Sequence, residues 1–318
     1  SSTPRPRPDA LTSALPVAAV VVDSGLAHLD REFEYAVPAS LDEAAQPGVR
    51  VKVRFAGRDL DGFVVARRAE ARHAGRLTPL RRVVSEEPVL TPELVATARA
   101  VADRYAGVLG DVLRLAVPKR HAAAEKALAM APPMQPALSP PSDASDLSPA
   151  WAAYPAGPAF LRRLADGGHP AAALLALPGQ PPERDWPALV AEAARVALDA
   201  GRGVLVVVPD QRDLDRVDRA LVHALGPQRH VRLTADQGPQ ARYTAWLKVL
   251  RDHVRCVVGT RAASFAPVHD LGLVVWWDDG DDLHEEPRAP YPQVGEVLAL
   301  RAALTGAALL TAGFSRSV

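Results

Sequence analysis

Short apolar runs broken by turn residues open the chain. Val17–Val22 precedes Asp23-Ser24-Gly25, Phe33–Val37 precedes Pro38, and Val51–Phe55 precedes Ala56-Gly57. Gly62–Ala66 and the pair Val83-Val84 follow. Strand-length runs at regular spacing predict a small antiparallel β unit. At Thr91 the period changes. Thr91-Pro92-Glu93-Leu94 offers a capping hydroxyl, a proline at the first helical position and an early acid. Leu94, Val95, Ala98, Val101, Ala102 and Tyr105 then recur at helical spacing. Residues 15–118 are expected to form one α+β domain, preceded by a flexible tail over 1–14.

Residues 119–154 read as a linker, with Pro132-Pro133, Pro136 and Pro140-Pro141 among few aliphatic residues. Beyond residue 155 apolar runs of strand length alternate with helical stretches: Ala171–Leu177, 187–199, Val204–Val208, 210–225, Val231–Leu233, 239–251, Cys256–Val258, Leu271–Trp277, 293–304 and Ala307–Leu310. That alternation predicts an α/β fold with a parallel sheet covered on both faces. In such sheets sites form in the loops after the carboxyl ends of the strands. Here those loops are 178–186, 209–211, 259–267, 278–290 and 311–317.

Composition narrows the function classes. The 318 residues carry 37 basic and 37 acidic side chains, and all but four of the basic ones are arginine. The single cysteine excludes a disulfide framework or a cysteine-based zinc site within the chain. The nine histidines show no paired ligand spacing. No apolar run reaches the roughly 18–20 residues of a membrane span, and the first ten residues lack the apolar core of a signal peptide. A soluble, cytoplasmic protein is expected. The zero net charge hides a basic block, ten cations against three acids from Arg50 to Arg82, and an acidic block of six carboxylates from Asp278 to Glu286. The first is the footprint of a nucleic-acid contact. The second reads as a solvated loop, with a bound divalent ion as the alternative.

Two long motifs carry a resemblance. Gly259-Thr260-Arg261-Ala262-Ala263-Ser264-Phe265-Ala266-Pro267, followed by the strand into the acidic loop, resembles the Gly-Thr-Arg-Ser-Ala-Leu-Phe-Ala-Pro segment of the PriA family of replication-restart helicases. Leu29-Asp30-Arg31-Glu32-Phe33-Glu34-Tyr35-Ala36-Val37-Pro38 is similar to its Leu-Asp-Arg-Thr-Phe-Asp-Tyr-x-Val-Pro, and Pro47–Phe55 and Gly110–Leu113 match further on. The resemblance covers residues 15–118 and about 155–318. It implies a 3′-end DNA-binding domain joined to a RecA-like helicase lobe. As DNA contacts it implies Phe33, Glu34, Gly57 and Arg81 lining one pocket: an aromatic for the last base, a carboxylate for the 3′-hydroxyl and a cation for phosphate. It also implies branched or single-stranded DNA with a 3′ end, single-stranded-DNA-binding protein and other primosome proteins as partners, at the bacterial nucleoid.

The nucleotide motifs depart from the family. Its Gly-x-Thr-Gly-Ser-Gly-Lys-Thr loop offers backbone amides, a lysine and a hydroxyl to phosphate and Mg²⁺. Here Ala176–Asp185 contains Gly179 and Arg184 but no lysine or hydroxyl, and its three prolines remove amide donors. Trp277 falls at the family's metal-binding Asp, Asp278 at its Glu and Gly280 at its His; a one-residue slip would instead offer Asp278-Asp279. Thr311–Ser315 replaces Gly-Ser-Ala-Thr-Pro. The expectation is therefore a degenerate nucleotide site around Gly179, Arg184, Arg261, Asp278 and Asp279, with no catalysis, no ATP and no metal. The alternative is an ATP-dependent 3′–5′ DNA helicase of superfamily two. The family's cysteine-rich zinc segment and second helicase lobe would follow Val318, so the chain reads as a fragment or a shortened relative.

Overall fold

The computed structural model describes residues 14–72, 74–129 and 149–316. The expected tail, save its last residue, and the proline-rich part of the expected linker lie outside them. The chain divides into two units between Val117 and Pro118.

In the first unit five antiparallel strands, β1 (Val17–Val22), β2 (Phe33–Ala36), β3 (Arg50–Phe55), β4 (Arg58–Arg68) and β5 (Arg82–Ser85), form a sheet in the order β2-β1-β4-β3-β5. The two-residue turn between β3 and β4 places Ala56 at φ 47° and Gly57 at φ 78°. Positive φ at both positions matches the twist of the flanking strands, and glycine adopts it without steric cost. Alternation along the strands then sorts the side chains. Val51, Val53, Val20, Val22, Val64 and Tyr35 enter one core, while Arg50, Lys52 and Arg54 of β3 turn to the opposite face. Helix α1 (Pro92–Arg104) starts where the sequence predicts, with the Thr91 hydroxyl accepting from Leu94 N–H at 3.1 Å. Helix α2 (Leu109–Ala116) takes its cap from far away: Asp30 accepts from Leu109 N–H at 2.8 Å and from Arg99 at 2.7 Å. The Leu-Asp-Arg motif thus fastens the segment before β2 to both helices.

The second unit has six parallel strands, β6 (Ala171–Leu175), β7 (Gly203–Val207), β8 (Val231–Leu233), β9 (Cys256–Gly259), β10 (Leu271–Trp277) and β11 (Ala308–Gly313), in the order β6-β11-β10-β7-β9-β8. Helices α5 (Gly157–Ala165), α6 (Trp186–Asp199) and α7 (Gln211–Leu225) share a core with alternate residues of these strands, among them Val204, Val206, Leu273, Val275 and Leu310. Helix α4 (Pro149–Ala152) adds Ala150 and Trp151 to that core, and α8 (Pro239–Leu250) and α9 (Val294–Thr305) also belong to this unit.

The expected linker begins differently. Residues Ala122–Ala129 form helix α3, which packs on α8, and Tyr243 donates to Glu125 at 2.7 Å. The alanine-rich sequence favours helix, and the prolines that suggested a linker all come later. Among the described residues no helix is long and apolar enough to cross a membrane.

Cys256 is wholly buried in β9, and burial pushes its thiol up to about 12. Neither solvent nor thiolate chemistry reaches it in the folded chain. Labelling with a chromogenic aryl disulfide at pH 8 is expected to be negligible until denaturant opens the second unit. Prompt stoichiometric labelling of native protein would contradict this placement.

Candidate functional site

The sheet register decides which cations of the basic block are available. Lys52 pairs with Asp61 at 2.9 Å, and Asp59 takes both Arg54 at 3.2 Å and Arg81 at 3.5 Å. Arg67 is held by Asp42 at 2.7 Å and by the carbonyl of Ala45. Arg68 sits between Glu32 and Glu34, and Arg50 lies over the Phe63 ring. Carboxylates from Glu32, Glu34 and Asp42, outside the block in sequence, cancel part of its excess. Arg58, Arg72, Arg76 and Arg82 remain exposed and enter no ion pair among the described residues.

Of the four residues expected to line one pocket, adjacent positions on β2 turn Phe33 and Glu34 to opposite faces of the sheet. Phe33 faces the core side, half-buried, with its ring edge-on to Phe55 at 4.7 Å between centroids. Glu34, the next residue on the strand, points to the other face. Its side chain is 8% exposed and accepts from Arg68 at 3.2 Å and from Arg72 N–H at 2.9 Å. A carboxylate so engaged is a poor acceptor for a DNA hydroxyl. Gly57 lies in the hairpin turn, with nothing within 4 Å of where a Cβ would stand. Arg81 belongs with Asp59. Phe55 and Arg31, whose guanidinium sits 4.9 Å over the Phe33 ring, were not singled out from the sequence. An aromatic paired with Phe33 across the sheet was the available signal for Phe55.

In the second unit the loop from Ala176 to Asp185 joins β6 to α6. Gly179 adopts φ 69° in an exposed turn, and Arg184 is exposed without an ion pair among the described residues. Asp185 caps α6, accepting from Trp186 N–H at 2.8 Å and from Arg216 at 2.6 Å. A carboxylate thus stands where a helix N-terminus would otherwise attract an anion. Behind it, Trp186 and Trp277 stack face to face, 3.7 Å apart and 8° from parallel, at 0% and 1% exposure. The Trp277 indole donates to Asp213 at 2.9 Å, Arg216 lies 5.0 Å over Trp186, and Phe314 meets Trp277 edge-on at 5.2 Å. Sequence reasoning noted Trp277 but passed over Trp186. A tryptophan opening the helix after a phosphate-type loop was the signal.

The acidic loop is an ordered turn. Asp278 adopts φ 56° and donates its N–H to Ala312 O at 2.7 Å. Burial raises its carboxyl above the usual range, with Asp281 and Asp213 adding repulsion. Asp279 is buried. His284 is wholly buried and donates from Nε2 to Trp277 O at 2.9 Å; burial holds its ring below the usual imidazole value. Arg261 ties the loop down, donating to Glu286 at 2.9 Å and to the carbonyls of Leu283 and Glu285. Among the described residues no three His, Cys, Asp or Glu side chains are placed to hold a metal.

Comparison with known proteins bears on both units. Residues 19–118 match the family model described as the PriA 3′ DNA-binding domain. A "Probable replication restart protein PriA" of Mycobacterium tuberculosis is 49% identical over 290 residues, which is 91% of this chain and 43% of that protein. One from Mycobacterium leprae is also 49% identical, over 91% of this chain and 44% of that protein. The "Replication restart protein PriA" of Treponema pallidum is 26% identical over 86% of this chain and 40% of its own length. The chain therefore spans a little under half the length of these relatives. With a 3′ DNA-binding domain in one unit and close similarity continuing through nine-tenths of the sequence, the chain belongs to the PriA family of replication restart proteins.

Proposed function

We propose that this chain binds stalled or branched DNA carrying a 3′ end through its first unit, and that its second unit is a scaffold that does not hydrolyse ATP. The observation that carries the second half is the buried indole stack behind Asp185. Phosphates held in a P-loop need amide donors, a lysine and a hydroxyl for Mg²⁺. At this loop they would meet prolines, a capping carboxylate and two tryptophans filling the space behind it. ATP and Mg²⁺ do not fit these residues. The first half is supported by the family of residues 19–118 and by Arg58, Arg72, Arg76 and Arg82 of the same unit, which are exposed and enter no ion pair among the described residues. Single-stranded-DNA-binding protein and other primosome proteins are the partners this reading adds.

Two titrations on the intact chain test it. A fluorescent fork with a 3′-hydroxyl on its leading strand is expected to bind with a log–log salt slope of about −2 to −4, from three to five phosphate contacts at roughly 0.7–0.9 each. Calorimetry with Mg-ATP is expected to give no isotherm, and phosphate release with the fork present is expected to stay at the blank rate. A saturable micromolar ATP isotherm would overturn the scaffold assignment and favour a translocase. Salt-independent fork binding would remove the arginines from the interface.

A further inference from the structure

Among the described residues, Arg31 is the cation that lies over the Phe33 ring. The acids flanking it in sequence are both engaged: Asp30 by Arg99 and the Leu109 amide, Glu32 by Arg68. Arg68 itself is held by two carboxylates and Arg81 by Asp59. Arg31 is exposed, enters no ion pair among the described residues, and rests its guanidinium on the Phe33 ring at 4.9 Å. Phe55 braces the same ring from its edge at 73°.

A guanidinium on a half-buried benzene ring is weakly held, because the ring quadrupole is a poor substitute for an anion. A phosphate offers it charge-assisted hydrogen bonds, bidentate if the geometry allows. The move would bare a flat aromatic face, and every nucleobase has a π-face that can stack there. Both halves of this exchange favour the DNA-bound state.

Resting on the DNA-end reading above, we propose that Arg31 is the phosphate clamp of the 3′-end site, covering the Phe33 face in the free protein and exchanging with the terminal base when DNA binds. Phe55 positions the ring. The phosphate role expected of Arg81 passes to Arg31, whose guanidinium is not already committed to a carboxylate.

The test uses the intact chain and two fluorescein-labelled ten-nucleotide deoxythymidine strands, one ending in a normal 3′ nucleotide and one in an abasic 3′ residue. The unmodified chain is expected to prefer the first about tenfold, within the range that stacking one base gives. Arg31→Ala is expected to weaken both strands at least fivefold and make the salt slope shallower by about 0.7, the single-strand value for one contact, while keeping the base preference. Phe55→Leu is expected to shrink the base preference with the slope unchanged, and circular dichroism verifies that the sheet is intact. Arg31→Ala with unchanged affinity and slope would overturn the clamp. Tighter binding by Arg31→Ala would overturn it too, by making Arg31 only an obstacle on the ring. An unmodified chain that binds neither strand would instead sink the DNA-end reading, and the clamp with it.

Discussion

Trp186→Ala is expected to cost the second unit about 4 kcal/mol, the middle of the range for deleting a buried tryptophan. The ring is fully buried and stacked on Trp277. Because it stands at the first turn of α6, its loss would open a cavity where helix, loop and β10 meet, and partial collapse would strain all three. The five tryptophans, at 151, 186, 246, 276 and 277, all lie in the second unit. Urea unfolding followed by indole fluorescence therefore reads this unit alone. A double-mutant cycle with Trp186→Leu and Trp277→Leu should show a coupling of about 1 kcal/mol beyond the area each ring buries. No variant of the pair is expected to gain ATP hydrolysis, since emptying the space supplies neither lysine nor hydroxyl. A loss below 1 kcal/mol for Trp186→Ala would mean the stack is loosely packed, and the argument against a nucleotide would then rest on the loop alone.

The parts of this protein that were readable from its sequence were set by local pattern. Short apolar runs marked the five strands β1 to β5, and Thr91-Pro92 marked a helix start that the capping bond bears out. The long Gly-Thr-Arg and Leu-Asp-Arg-x-Phe motifs carried the family. What stayed hidden depends on register between distant segments. Glu34 looked like a free carboxylate beside Phe33, but crossing the sheet by way of β1 brings Arg68 of β4 against it. Adjacent strand residues face opposite ways, so β2 turns the Phe33 and Glu34 side chains to different faces of the sheet. The basic block lost part of its excess because Asp42, Glu32 and Glu34 fold onto it, and charge counted within a window cannot include them. Helix α3 was missed because proline-rich composition downstream outweighed eight residues of helix-forming sequence. The altered nucleotide loop was legible by its missing residues. The stack that fills the space behind it was not, since Trp186 opens α6 while its partner Trp277 ends β10.

Arg301→Ala is expected to cost about 2–6 kcal/mol, from two buried carbonyls that each lose a donor at about 1–3 kcal/mol. Arg301 lies on α9 with 0% exposure and donates to Ser264 O at 2.8 Å and Ala266 O at 3.0 Å. Those carbonyls belong to the loop that begins Gly-Thr-Arg, so a side chain from α9 holds the motif from beneath. Alanine would leave both acceptors without these donors in a space too apolar to hydrate them, each at about 1–3 kcal/mol, and would vacate the guanidinium's volume. Arg301→Lys is expected to recover part of the loss, because an ammonium can donate to a carbonyl but cannot span two with a planar fork. The effect should propagate along one route. Arg261 in the same loop clamps Leu283, Glu285 and Glu286, so amide exchange at residues 283–286 should accelerate in Arg301→Ala beyond what the lower global stability predicts. DNA binding should be unchanged where the second unit remains folded, since the exposed arginines and Phe33 belong to the first unit. Exchange at 283–286 that rises only in step with global unfolding would show that the two loops are held independently.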